Sequence, residues 1–443
     1  MDLELILASA DENLNKGEQL NDEDYLEIAI DLFSRVINKC KSEDSLVYRA
    51  YNGRGSAHEL LKKIPEAIND FTDAIELDSG NPEAYINRGN VYRGISGSLN
   101  DAVDDFTNAI GLDPEHSVAY SYRGLVFSLL KRFPEALVDL TKAIELDPKN
   151  SVTYNNRGSV YNSLERFPEA LVDLNKAIEL NPKSSAFYIN RGFVNNSLKK
   201  FLESVDDFTN AINLNPKNSI TYINRGFVNT LLKRFPEAVD DFTEAIKLKP
   251  EDAIAYSHRG STFITLGKFP EAVDDLSEAI KLNSQLSVLY NDRGFVYTFM
   301  GKFPEAVDDL SEAIKLRPED AVSYSNRGFA YTLSGKFDEA AVDLNKAIKL
   351  DSQFLPAYSN RGNLHRLKGD NNLAETDYRM ALGIFNENTN IHTSNSGKLR
   401  AAIRAERGLI KLGVETTNPI EETVVQEGIL SSEQLNQFFK YDK

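Results

Sequence analysis

The chain has 443 residues, 41% of them hydrophobic, with one cysteine and a formal net charge of −17. A negative balance of that size repels phosphate backbones and anionic lipid, which sets nucleic acid and membrane surfaces aside as partners. Cys40 alone can form neither an intrachain disulfide nor a thiolate metal cluster. The start has no basic region leading into an apolar run, and no stretch of about eighteen apolar residues follows, so a cytoplasmic chain without signal peptide or transmembrane segment is expected.

Residues 1–45 hold twelve Asp or Glu against Lys16, Arg35, Lys39 and Lys41. Lys16-Gly17 and the run Ala29-Ile30-Asp31-Leu32-Phe33 predict a divergent first helical hairpin, so 1–47 reads as an acidic N-terminal cap. From residue 48 an Arg-Gly pair recurs, with glycines at 55, 89, 124, 158, 192, 226, 260, 294, 328 and 362, spaced 34, 35 and then 34 residues. Such a period marks stacked supersecondary units, none of which can bury its apolar face alone. Ten units are thus predicted over 48–385, with the glycine taken as position 8 of each.

Within a unit, Tyr154 and Tyr161 lie two helical turns apart on one face, which predicts a first helix, A. The segment from Pro168 to Ile178 spaces its apolar residues by three and four, giving a second helix, B, with one buried stripe. Prolines such as Pro134, Pro168 and Pro236 suit the first turn of helix B, where an amide hydrogen has no partner. Others, such as Pro148, Pro182 and Pro250, cannot continue it. Beyond the repeats, 386–397 is polar and reads as a loop, Lys398–Gly408 as a degenerate helix A, and 419–441 as capping helices within a 398–443 end region.

Tyr at position 4, Gly at 8, mostly aromatics at 11, Ala at 20, Phe or Leu at 24 and Pro at 32 resemble the tetratricopeptide repeat. Position 4 is Tyr where that family often has Trp, and position 7 is Arg where it often has Leu. The resemblance implies an all-α, right-handed α-solenoid superhelix of stacked 34-residue helix-turn-helix repeats, acting as a protein-protein interaction scaffold or adaptor with no enzymatic activity. The expected partner is another protein or extended peptide segment held in the concave groove; the alternative is a structural solenoid that works by homo-oligomerisation.

Arg at position 7 and Asp at position 23 occur in all ten units. They are expected to be structural ion pairs, because an arginine half-buried without a carboxylate is costly. The five histidines lack metal-ligand spacing and no nucleophile, phosphate-loop or zinc motif appears, so no cofactor, metal or catalytic residue is expected. Basic residues at position 16, such as Arg132, Arg166 and Lys302, are expected to solvate the turns.

The resemblance implies that positions 2, 5, 6, 9, 12 and 13 face the groove. Position 6 carries Asn87, Asn156, Asn190, Asn224, Asn326 and Asn360, although asparagine is a mediocre helix former. An amide both donates and accepts, so it can clasp the backbone of an extended peptide. The spacing resembles the asparagine ladder in the repeat domain of O-linked N-acetylglucosamine transferases, here with no transferase domain. At position 9, Phe193, Phe227, Phe295 and Phe329 are expected to add apolar contacts; the plainer alternatives are passive copying of asparagine by duplication and packing of the rings between repeats. Position 5 has no lysine, which argues against the acidic tails that the family clamps with a lysine there and favours an uncharged or mildly basic segment.

Overall fold

The structure is a computed structural model that describes residues 3–40, 45–388, 396–414 and Ile420. Helices pair into antiparallel hairpins, and the chain divides into two compact units, residues 1–214 and 215–443. The first contains α1 (Leu3–Leu20), α2 (Glu23–Lys39), α3 (Ser45–Leu60), α4 (Ile64–Leu77), α5 (Pro82–Arg93), α6 (Leu99–Leu112), α7 (Ser117–Leu129), α8 (Phe133–Leu146), α9 (Ser151–Ser163), α10 (Phe167–Leu180), α11 (Ser185–Ser197) and α12 (Phe201–Leu214). The second contains α13 (Ser219–Leu231), α14 (Phe235–Leu248), α15 (Ala253–Thr265), α16 (Phe269–Leu282), α17 (Ser287–Met300), α18 (Phe303–Leu316), α19 (Ala321–Leu333), α20 (Phe337–Leu350), α21 (Leu355–Lys368), α22 (Asn371–Asn388) and α23 (Ser396–Lys411). Within each unit every helix packs on its hairpin partner and on the next hairpin, which is the layering of an α-solenoid.

Local chemistry fixes each hairpin. Asn150, Asn218 and Asp252, the last residues of their repeats, cap the following helix A by accepting the backbone N–H two residues on, as first-turn amides require. Proline opens most B helices, as in α8, α10 and α14. Between A and B the chain turns through one left-handed residue, with φ of 57–60° at Lys62, Lys131, Glu165, Lys199 and Lys233. Gly267, Gly301, Gly335 and Gly369 hold the same place in later repeats, where a Cβ is absent and the conformation is unstrained.

Across the hairpin, small faces large. A Cβ on Gly226 would come within 2.8 Å of Phe242, which is fully buried, and Ala238 is also sealed in this contact layer. The divergent first hairpin obeys the same rule, since a Cβ on Gly17 would sit 2.5 Å from Leu26. At the other end Tyr378 fills the space below two glycines: a Cβ on Gly362 would meet its ring at 2.6 Å, and one on Gly408 of α23 would collide with the same ring. That double contact accounts for a tyrosine at position 24 of the tenth repeat.

The ends differ from the sequence expectation in their boundaries. α22 extends through Asn388 and α23 begins at Ser396, so helix takes up both ends of the segment read as a polar loop over 386–397; residues 389–395 lie outside the described residues. The capping helices expected over 419–441 also lie outside them, apart from Ile420, whose backbone N–H donates to the buried Glu406 carboxylate at 2.8 Å. Among the described residues no helix is long and apolar enough to cross a membrane.

Candidate peptide-binding surface

Each position-7 arginine leaves helix A toward helix B of its own hairpin. Ten pairs form, from Arg54–Asp70 to Arg361–Asp377, with closest N···O distances of 2.6–2.8 Å. The third guanidinium nitrogen reaches position 25 of the preceding repeat: Arg88 donates to Thr72, Arg157 to Thr141, Arg259 to Thr243 and Arg361 to Asn345. One arginine therefore ties its hairpin together and staples it to the one before. Sequence reasoning found the pair and missed the staple, although Thr, Ser or Asn recurs at position 25. Burial pushes the Asp105 and Asp241 carboxyls above their ordinary range despite the facing arginines, as expected of pairs that fix geometry more than they stabilise.

The position-6 amides are half-buried rather than fully presented. Asn87 donates to Asn52 at 3.0 Å, Asn190 to Asn155 at 2.8 Å and Asn326 to Asn291 at 3.0 Å. Position 5 thus lies between hairpins instead of lining a groove, because its side chain is the acceptor for the next repeat's amide. Asn52 and Asn155 are buried accordingly. Asn156 is half-buried, and the Asn224 side-chain nitrogen is buried with no hydrogen-bond partner. Asn360 departs furthest from the expected open ladder: it is 3% exposed, donating to Ser325 and accepting from Arg404 of α23 at 2.9 Å. The ladder is also interrupted by Tyr122, by His258, which stacks on Phe242, and by Asp292.

Position 9 divides in the same way. Phe193 and Phe227 remain 38% and 40% exposed, the first edge-on to Phe208 and the second tilted against His258. Phe329, expected to be a partly exposed contact, is buried at 3%, with the Arg404 guanidinium 4.2 Å above its ring. Phe295 is half-buried beneath Arg400, at 5.6 Å. The reason is α23, whose apolar face, Leu399, Ala402, Ile403 and Leu409, joins the core of the last repeats and carries its arginines over the faces of α17, α19 and α21.

Between that helix and the repeats lies a cavity of about 390 Å³, which brings together Phe295, Asn326, Phe329 and Asn360 with Asn291, Asp292, Arg400 and Arg404. Asp292 interacts with Asn291 and Ser261 at 3.3 and 3.4 Å, and burial pushes its carboxyl up to about 6. Arg400 is brought down to about 10 by burial and by the charge of Arg404. The two arginines were legible as a four-residue spacing on one helical face; what they cover was not.

The remaining charges are local. Arg132 stacks on Phe127 and pairs with Glu135, and Arg166 does the same with Tyr161 and Glu169, so the position-16 stripe packs and solvates the turns. Among the described residues no group of three His, Cys, Asp or Glu side chains is arranged to hold a metal ion.

Family models described as tetratricopeptide repeat match residues 117–150, 151–184 and 321–354, residues 232–287, and residues 48–81, and one described as TPR repeat matches 296–333. No curated protein matches the chain. Among solved structures it is similar to YrrB, described as a TPR protein with an unusual peptide-binding site, at 23% identity over 42% of this chain and 95% of that one, with a TM-score of 0.37. It is also similar to Cut9 with Hcn1 from the APC/C, at 16% identity over 91% and 90% with a TM-score of 0.46, and to yeast Tom70, at 18% over 94% and 99% with a TM-score of 0.39. The matched segments fall on the glycine-spaced hairpins throughout, and the chain belongs to the tetratricopeptide repeat family.

Proposed function

We propose that this chain is a protein-interaction scaffold that holds an extended polypeptide along the helix-A faces of its repeats, without catalysing a reaction. The observation that carries the reading is the pairing of amide and ring on α11: Asn190 is anchored by Asn155 and Ser159, and Phe193, three residues on, is 38% exposed. An anchored amide loses little freedom when it meets a peptide group, and an exposed ring beside it supplies apolar area. α13 repeats the amide and the exposed ring, with the half-buried Asn224 and Phe227, but without the anchoring bonds. Each hydrogen bond contributes on the order of 1 kcal/mol net, so several must act together and micromolar affinity is the natural scale. The net charge of −17 and the single cysteine favour a cytoplasmic protein partner over nucleic acid.

The test is capture of an immobilised array of unrelated twelve-residue peptides by the full chain. Replacing Asn190 and Asn224 together by Ala is expected to weaken capture about tenfold, the loss of about 1.4 kcal/mol; unchanged capture removes the amides from the function. A second reading, self-association, is favoured by the exposed valines Val138 and Val172, 69% and 68% accessible at the same position of successive B helices. Light scattering that reports a dimer or larger species, abolished by Val138→Glu with Val172→Glu, would move the function to that surface.

A further inference from the structure

The A helices of the second compact unit share a feature that hairpin construction does not require. Position 2 carries Ile220, Ile254, Val288 and Val322 in α13, α15, α17 and α19, and among the described residues these are 60%, 55%, 49% and 39% exposed. Arg49 and Glu83, both exposed, hold the same place in the first two repeats, so a hairpin forms with a charge there. A β-branched side chain brings an exposed helical site no advantage, and one such residue alone would call for no explanation. Here they stand at one register of four successive A helices, which pack against one another, and so form a row. Position 2 lies on the same helical face as positions 6 and 9, four and seven residues on. On α13 that face carries Ile220, the half-buried Asn224 and the exposed Phe227. The row therefore borders the amide positions on the side opposite to the rings.

We infer that this row receives a polyproline-II segment of a partner protein, with an aliphatic side chain at every third residue and basic residues beside it. This rests on the proposed function and deepens it by naming the conformation and side-chain pattern of the ligand. Spacing carries the conformation. Packed helices lie about 8–10 Å apart, and a polyproline-II strand, with three residues per turn and a rise of about 3.1 Å, presents the same face again after roughly 9 Å. A β-strand repeats its face after roughly 6.8 Å and falls out of step with the helices. The polyproline-II backbone makes no internal hydrogen bonds, which leaves its carbonyls to the position-6 amides. Charge complementarity supplies the flanks. α15 and α19 each begin behind an acidic pair, Glu251-Asp252 and Glu319-Asp320; the aspartates cap the helices, and the glutamates are exposed. Lys217 and Gln285 hold the place of those glutamates before α13 and α17, so the balance beside the row is negative.

Two fluorescent peptides of equal composition, titrated with the full chain and read by anisotropy, test this. One has four Pro-Leu-Gln triplets between terminal lysines; the other alternates Leu with Gln and gathers the prolines at one end. The triplet peptide is expected to bind about tenfold more tightly, a difference of about 1.4 kcal/mol. Ile254→Gln with Val288→Gln, both at exposed positions, should remove that preference, whereas Val342→Gln, at a 70% exposed site on α20, should leave it unchanged. Glutamates in place of the terminal lysines should weaken the triplet peptide about threefold. Equal affinity for the two arrangements, no binding by either, or a preference that survives the Ile254 and Val288 changes overturns the inference. Unaltered binding with glutamate ends overturns the basic flanks, and a fall in the mass seen by light scattering, with affinity for the triplet peptide unchanged, gives the row to a second copy instead. Failure of the broader reading shows separately, as unaltered capture of the peptide array by the Asn190 and Asn224 variant.

Discussion

Phe193 and Phe329 stand at position 9 of their repeats, yet one is 38% exposed and the other 3%. Their own helices do not account for the difference: each follows an Arg-Gly pair, each arginine bonds its Asp at 2.6 or 2.7 Å, and each preceding Asn donates to position 5 of the repeat before. What differs is α23, which lays Arg404 over Phe329, whereas Phe193 is 38% exposed among the described residues. A repeat signature fixes how a hairpin is built. It does not fix what a later segment of the chain lays against it.

The hardest test of that distinction is the arginine shared by both regions. Arg191→Met and Arg327→Met each strand an aspartate that is 3% or 6% exposed, and leaving one partner of a buried pair costs about 3–5 kcal/mol. If hairpin construction is independent of the cover, the two variants lower the melting temperature equally, and removing the aspartate as well, by Asp207→Leu or Asp343→Leu, restores most of the loss. A much larger fall for Arg327→Met would show that the cover and the pair act as one structure.

A smaller effect should separate the regions. Ile403 of α23 is fully buried in the core of the last repeats, and Ile403→Ala is expected to cost about 2–3 kcal/mol by transfer and cavity formation. Because solenoid stability is carried by neighbouring contacts, hydrogen exchange should quicken in α19 through α23 and stay unchanged in α9 through α11. Uniform quickening would mean that the cover is not a local addition.

The same division explains what could be read in advance. Hairpin pairing, the glycine at position 8 facing Phe or Leu at 24, or Tyr in the tenth repeat, and the Arg–Asp pairs all join residues within one repeat, and the 34-residue period displays them ten times. The amide bonds between repeats were also in plain view, since Asn52, Asn155 and Asn291 each stand 35 residues before Asn87, Asn190 and Asn326; treating position 5 as groove-facing concealed them. The burial of Asn360 and Phe329 was not legible. It depends on contacts with Arg404, 44 and 75 positions later in a segment outside the period, and no local preference specifies that docking.

Asp292 offers the finest probe of the covered region, because the sign of its effect depends on pH. Burial raises its folded-state pKa from the ordinary 3.8 to about 6, even with Lys398, Arg400 and Arg404 lining the same cavity. Ionising it therefore opposes folding: the favourable contribution is complete below about pH 3.8 and is lost as pH rises through about 6. Asp292→Asn keeps the shape and removes the charge, so the variant should match the parent near pH 4 and be more stable by about 1–2 kcal/mol near pH 8. If Asp292→Asn instead lost stability above pH 6, the ionised carboxylate would be held favourably where it lies, and burial would not be what governs its titration.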